Sequence, residues 1–131
     1  MILDSSVLLA IVFRESGHEA LLEALAGDEM HGMGTPTLAE TGIVLRSRLG
    51  ESAEGILERM LDEFAIEEIP FGELHWREAV NAFRKYGKGR HAAALNFGDC
   101  LAYATARLTG EQLLYVGHDF DATDVNDELT P

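Results

Sequence analysis

Cysteine is nearly absent: Cys100 is the one thiol in 131 residues. A single thiol excludes an intramolecular disulfide framework and agrees with a reducing compartment. Long apolar runs are missing too, and nothing approaches the roughly 18–20 residues that span a bilayer. The opening Met1-Ile2-Leu3-Asp4 lacks the basic stretch of a secretory leader, so no signal peptide is expected. Repeats, linkers and low-complexity segments are not found. Positive charge is scarce, with 10 Lys+Arg against 23 Asp+Glu and a formal charge of −13. What is present is ordinary globular composition, 47% hydrophobic and 25% charged, which supports a packed core and argues against global disorder. A length near the common domain size makes one domain over 1–131 the expectation. These features read as a soluble, cytoplasmic domain without membrane association.

The few cations are unevenly placed. Arg84, Lys85, Lys88 and Arg90 fall in one acid-free stretch closed by His91. Elsewhere 6 basic residues face 23 acidic ones, a balance of −17. Bulk attraction to nucleic acid is thereby excluded, because the mean field repels phosphates. A polyanion needs this local strip, or bound cations that offset the carboxylates. The acid excess also suits a basic partner.

Apolar spacing gives the elements. Ile2 and Leu3 predict a short buried strand over 1–3, followed by a helix over 6–13 capped from Asp4-Ser5-Ser6. Leu21, Leu22 and Leu25 predict a helix over 18–26 stopped by Gly27. A strand over 30–34 leads to Thr35 and Pro36, read as an N-cap and a first-turn proline of a helix reaching Gly50. Then come a helix over 53–64, a strand over 66–69 ended by Pro70, and a helix over 74–86. A helix over 97–108 stopped by Gly110 and a buried strand over 113–116 complete the pattern. From Gly117 the tail is polar and turn-like, and after Asp124 it is open to disorder. Strands separated by helices predict an α/β fold with a central parallel sheet covered on both faces. Polar residues just after the strands then gather at the carboxyl edge of the sheet.

Asp4 follows the first strand, Asp119 follows the last, and Asp99 opens a helix in Phe97-Gly98-Asp99. Each acid has a plain structural use. Asp4 suits an N-cap and Asp99 a helix dipole, while Thr37-Leu38-Ala39-Glu40 matches a capping box. Asp119, Asp121 and Asp124 suit a solvated tail. Convergence is the argument for chemistry: Asp4, Glu40 and Asp99 each sit at a predicted helix start, and Asp119 leaves a strand at the same edge. Carboxylates brought together repel unless a divalent cation neutralises them. Oxygen-only donors favour Mg²⁺ or Mn²⁺ over zinc, for which no His/Cys spacing is present. One or two such ions serve phosphodiester hydrolysis by polarising the phosphate and activating water.

Four blocks of the chain resemble the PIN-domain nucleases: Met1-Ile2-Leu3-Asp4-Ser5-Ser6, Leu38-Ala39-Glu40, Asn96-Phe97-Gly98-Asp99-Cys100-Leu101-Ala102-Tyr103 and Gly117-His118-Asp119-Phe120. With Arg84-Lys85-Tyr86-Gly87-Lys88-Gly89-Arg90-His91 before the third block, the likeness is to VapC-type toxins of bacterial toxin–antitoxin pairs. It runs in order over essentially the whole chain. The resemblance implies a three-layer α/β/α sandwich with a central parallel sheet and a Mg²⁺- or Mn²⁺-dependent endoribonuclease site. Asp4, Glu40, Asp99 and Asp119 match its acidic quartet. Asp4 and Asp99 are implied as metal ligands, with Glu40 orienting water or completing the shell and Asp119 a ligand or a group behind the ligands. Gly117 stands where many PIN proteins carry Ser or Thr. A VapB-type antitoxin, an RNA substrate, a homodimer and a heterotetramer or larger complex with the antitoxin are likewise implied.

The remaining side chains are read more plainly. Ser5 and Ser6 are expected to cap, with contact to a metal-bound water the alternative. Arg84, Lys85, Lys88 and Arg90 are expected to contact RNA rather than only solvent. Trp76 and Tyr86 are expected to pack rather than stack on bases. Cys100 is read as a small buried hydrophobe, and the five histidines as surface or packing residues. Two competing functions stay open: a catalytically inert PIN-like module that binds a partner, and a phosphohydrolase or phospho-receiver. The last pair is disfavoured because Ser6 stands where a second aspartate is wanted and the last lysine is Lys88.

Overall fold

Two adjacent residues, Ile2 and Leu3, set the layers of the molecule. The structure is a computed structural model that describes residues 1–27 and 29–127. Its strands are β1 (Ile2–Leu3), β2 (His31–Gly34), β3 (Ile66–Ile69) and β4 (Leu113–Leu114), all parallel in the order β3-β2-β1-β4. Successive strand residues face opposite sides. Ile2 accordingly packs with Ala82, Leu101, Tyr103 and Leu113, while Leu3 packs with Val7, Leu8, Met33 and Leu38. Helices α5 (Glu73–Tyr86) and α6 (Phe97–Thr109) cover the first face. The second is covered from α1 (Ser5–Val12), α2 (His18–Leu25), α3 (Thr35–Leu49) and α4 (Ala53–Glu63). The result is the expected α/β/α sandwich.

Two glycines in β2 let this sandwich close. A Cβ on Gly34 would stand 2.7 Å from Thr105 Oγ1 of α6, and one on Gly32 would stand 2.5 Å from Ile69 Cδ1. The absent side chains therefore let α6 approach the sheet and leave room above Gly32 for the Ile69 side chain.

The topology places a crevice. β1 pairs with β2 on one side and with β4 on the other, so the chain leaves β1 in one direction and returns across it. Ligand sites of open α/β sheets form at such reversals, at the carboxyl ends of the strands. Asp4 lies there, its backbone N–H donating to Leu114 O at 3.0 Å.

Three sequence expectations need correction. Thr35 is not the N-cap of α3: Gly34 takes that position with no side-chain bond, and Thr35 is already helical. Thr37 therefore lies inside the helix, where its hydroxyl is buried without a partner among the described residues, and no capping box joins it to Glu40. The last strand stops at Leu114 instead of running to 116, because Val116 N–H donates to the Ser6 hydroxyl.

The tail is held as far as it is described. Val125 is buried, and Asn126 bonds both the N–H and the carbonyl of Leu113 at 2.7 and 2.9 Å. The expectation of disorder after Asp124 thus fails for residues 125–127, and its remainder, 128–131, lies outside the described residues. Among the described residues no helix is long and apolar enough to cross a membrane.

Candidate active site

Asp4 earns its position from two directions. As N-cap of α1 it accepts the Ser6 N–H at 3.2 Å on Oδ2, and the same oxygen accepts the Ser6 hydroxyl at 2.6 Å. Ser6 Oγ in turn accepts Val116 N–H at 3.0 Å. One serine thus ties the end of β1 to the segment after β4. Both expected roles of Asp4 coexist: Oδ2 serves the cap, while Oδ1 makes no hydrogen bond within the described residues. Burial raises the Asp4 pKa against the lowering effect of the Ser6 bonds, and the charge of Asp119 raises it further.

Asp99 repeats the arrangement on α6. Asn96 is the N-cap, its side chain accepting Asp99 N–H at 2.9 Å, while Asp99 Oδ2 accepts Asn96 N–H at 3.0 Å. This reciprocal box fixes the aspartate at the helix mouth and again leaves Oδ1 without a partner among the described residues. The residue is only 8% exposed. Burial pushes its pKa up to about 6; the Asn96 bond opposes this, and the charges of Asp119, Asp4 and Glu40 add to it. All four predicted acids therefore share one electrostatic neighbourhood.

Glu40 reaches this neighbourhood from the second turn of α3, not from a helix start. Its carboxylate rests against Gly98, where any Cβ would run into Oε2. Gly98 is the residue that sequence reasoning underused. A glycine one step inside a helix costs about 1 kcal/mol against alanine, and that local cost was the available signal. Asp119 is the outlier, exposed on the turn after β4.

None of the four acids forms an ion pair within the described residues. Nor is any group of three His, Cys, Asp or Glu side chains among the described residues arranged to hold a metal ion. The acids are gathered but not closed around a point. Their chemistry still fits a hard divalent cation: the donors are all oxygen, and the bare backbone of Gly98 makes room for Glu40 beside Asp99.

The model of the PIN domain matches residues 1–126. Ribonuclease VapC36 of Mycobacterium tuberculosis is 47% identical over 126 residues, spanning 95% of this chain and 91% of that protein. The chain belongs to the VapC ribonucleases of the PIN-domain family. Two solved structures share its fold. VapC20 of M. tuberculosis, described as a sarcin-ricin loop cleaving toxin, superposes with a TM-score of 0.74 at 18% identity and covers 92% of each chain. VapBC2 of Rickettsia felis, bound to a DNA fragment from its promoter, gives 0.75 at 15% identity over 95% of this chain and 93% of that one.

Other residues of this PIN domain divide clearly. Asp121 accepts the Tyr115 hydroxyl at 2.6 Å on Oδ1 and His118 Nδ1 at 2.8 Å on Oδ2. Asp124 accepts the Tyr103 hydroxyl at 2.6 Å, and Arg107 donates to its backbone carbonyl. Against the cost of partial burial, Tyr103 and then Arg107 hold the Asp124 carboxyl below the usual range. Cys100 is buried, which pushes its thiol up to about 11, so it is no nucleophile at neutral pH. Tyr86 packs on Tyr103 with ring centroids 5.9 Å apart. Trp76, half exposed, lines an apolar groove of about 580 Å³ with Ile43, Val44, Phe71 and Phe97, and Glu40 stands at its wall.

Arg84, Lys85, Lys88 and Arg90 are exposed, and none pairs with an acid by direct contact within the described residues. Arg84 bonds Asn81, and Arg90 lies over the Phe83 ring. Their loop is closed by Lys88 N–H to Leu95 O and Leu95 N–H to Tyr86 O, just before the Asn96 cap.

Proposed function

We propose that this chain is the toxin of a toxin–antitoxin pair, a single PIN unit over 1–131 that hydrolyses RNA phosphodiester bonds at Asp4, Glu40, Asp99 and Asp119. The observation that carries the reading is Asp99: a buried carboxyl fixed by the Asn96 cap, whose ionisation is resisted first by burial and then by the charges of Asp119, Asp4 and Glu40. Carboxyls perturbed in this way cluster at functional sites. Naming of a 47% identical relative as a ribonuclease supports catalysis over an inert binding module.

Asp4 and Asp99 would hold Mg²⁺ or Mn²⁺ through their unbonded Oδ1 atoms, with Glu40 and Asp119 completing the set. When bound, the ion supplies charge neutralisation and polarisation of the scissile phosphate. Glu40, seated on the bare Gly98 backbone, would orient the attacking water or complete the shell. Asp99 and Asp4 are fixed by their caps and so would hold the ion in a set place. Arg84, Lys85, Lys88 and Arg90 give the RNA backbone a positive track in an otherwise repelling field.

A VapB-type antitoxin is the expected partner. Support comes from the Klebsiella pneumoniae toxin–antitoxin complex, which this fold matches with a TM-score of 0.70, and from the −13 charge, which suits a basic segment. The exposed apolar residues suit a homodimer and a heterotetramer or larger assembly. The test is cleavage of total RNA by purified protein with Mn²⁺, resolved on a gel. Wild type is expected to cut while Asp4→Asn and Asp99→Asn do not; equal behaviour of all three refutes the reading.

A further inference from the structure

The acid whose place is least fixed by its own contacts is Asp119. It is exposed and makes no side-chain hydrogen bond within the described residues, yet its charge acts on both Asp4 and Asp99. Like charges repel, so the turn that carries Asp119 has to be held in place near them, and it begins at Gly117, whose φ of +91° suits glycine. Everything around Asp119 is nevertheless clamped. Asp121 N–H donates to His118 O at 3.1 Å, closing the turn. Phe120 is buried and its ring lies 5.0 Å from that of Tyr115. Both oxygens of Asp121 are engaged, one by the Tyr115 hydroxyl and one by His118 Nδ1. Tyr115 is itself anchored next to Val116, whose N–H is held by the serine that holds Asp4.

We propose that Tyr115 and Asp121 are positioning residues that hold the turn carrying Asp119 against its acidic neighbours, so that Asp119 faces the same cation as Asp4 and Asp99. The inference rests on the proposed acidic site and assigns Asp121 a role other than ligand, since both of its oxygens already accept hydrogen bonds that close the turn. A continuous chain of contacts then runs from Asp4 through Ser6, Val116, Tyr115 and Asp121 to the turn bearing Asp119.

Tyr115→Phe keeps the ring against Phe120 and removes only the hydroxyl, and Asp121→Ala removes the whole acceptor from an exposed position. Three quantities are measured: Mn²⁺ affinity of the RNA-free protein by calorimetry, kcat and KM on RNA, and the melting temperature in chelator. Both variants are expected to bind Mn²⁺ on the order of 10-fold more weakly and to lose kcat with KM unchanged. Their melting temperatures should stay within about 2 °C of wild type. Wild-type Mn²⁺ affinity and kcat in both variants overturn the proposal, as does a loss that merely tracks a lowered melting temperature. Asp119→Asn separates the two levels: if it binds Mn²⁺ and cuts RNA as wild type does, the reading of the site fails and the clamp with it. If Asp119→Asn is impaired while Tyr115→Phe and Asp121→Ala are not, the clamp alone fails.

Discussion

Replacing Asp99 with asparagine should abolish cleavage and at the same time stabilise the fold. The carboxyl ionises near 3.8 in the unfolded chain and near 6 in the folded one, chiefly because of burial. Between these values the folded state keeps a proton that the unfolded state has shed, so stability falls as pH rises through the window and then levels off. At full strength the difference is worth about 3 kcal/mol above pH 6. Water reaching the acidic crevice screens it to about 1–2 kcal/mol. Asparagine keeps an oxygen for the Asn96 N–H, so the helix cap survives while the charge is removed. For a chain of this length the gain corresponds to a rise of about 4–7 °C in melting temperature at pH 7.5. The assay is thermal unfolding monitored by circular dichroism, in chelator, at pH 7.5, 5 and 4. The gap between variant and wild type should be roughly halved at pH 5 and nearly closed at pH 4. A variant that melts at or below wild type at pH 7.5, or a gap independent of pH, refutes the reasoning.

Gly98→Ala sets a methyl group against Glu40 Oε2; cleavage should fall on the order of 10-fold, while the helix gains up to about 1 kcal/mol of propensity, and kinetics with melting on one sample would show a split between the two. Ser6→Ala removes the link between Asp4 and Val116 and should cost about 1–2 kcal/mol in urea unfolding; an unchanged midpoint would mean that the link carries no weight. Gly34→Ala brings a Cβ to 2.7 Å from Thr105 Oγ1 and should destabilise by about 1–3 kcal/mol, with the double variant Gly34→Ala, Thr105→Ala recovering part of the loss.

Much of the fold is written in local pattern. Ile2 and Leu3 alternate into two cores, and Pro70 and Gly110 stop elements where local chemistry says they should. Asp4 and Asp99 are legible because each does two jobs at one position, capping a helix and facing the crevice. The failures share a cause: the decisive partner is remote in sequence. Thr35 and Thr37 carry good capping chemistry, yet the extended Gly34 backbone, pressed close to α6, takes the cap and leaves both threonines inside the helix. Glu40 resembles half of a capping box because nothing nearby announces that Gly98 leaves it a berth. Val116 reads as strand by its apolar character, but its N–H is claimed by Ser6 from the other end of the chain. The order of 125–127 rests on Asn126 gripping Leu113, a contact that composition does not encode.

The central claim is that Asp4, Glu40, Asp99 and Asp119 serve one divalent cation. A crystal soaked in Mn²⁺ and measured at the manganese absorption edge tests it most directly. The account predicts an anomalous peak bonded to Asp4 and Asp99 with Glu40 and Asp119 turned toward it, and no such peak in Asp99→Asn. A crevice without manganese in the wild type, or an ion held elsewhere on the surface, would contradict it.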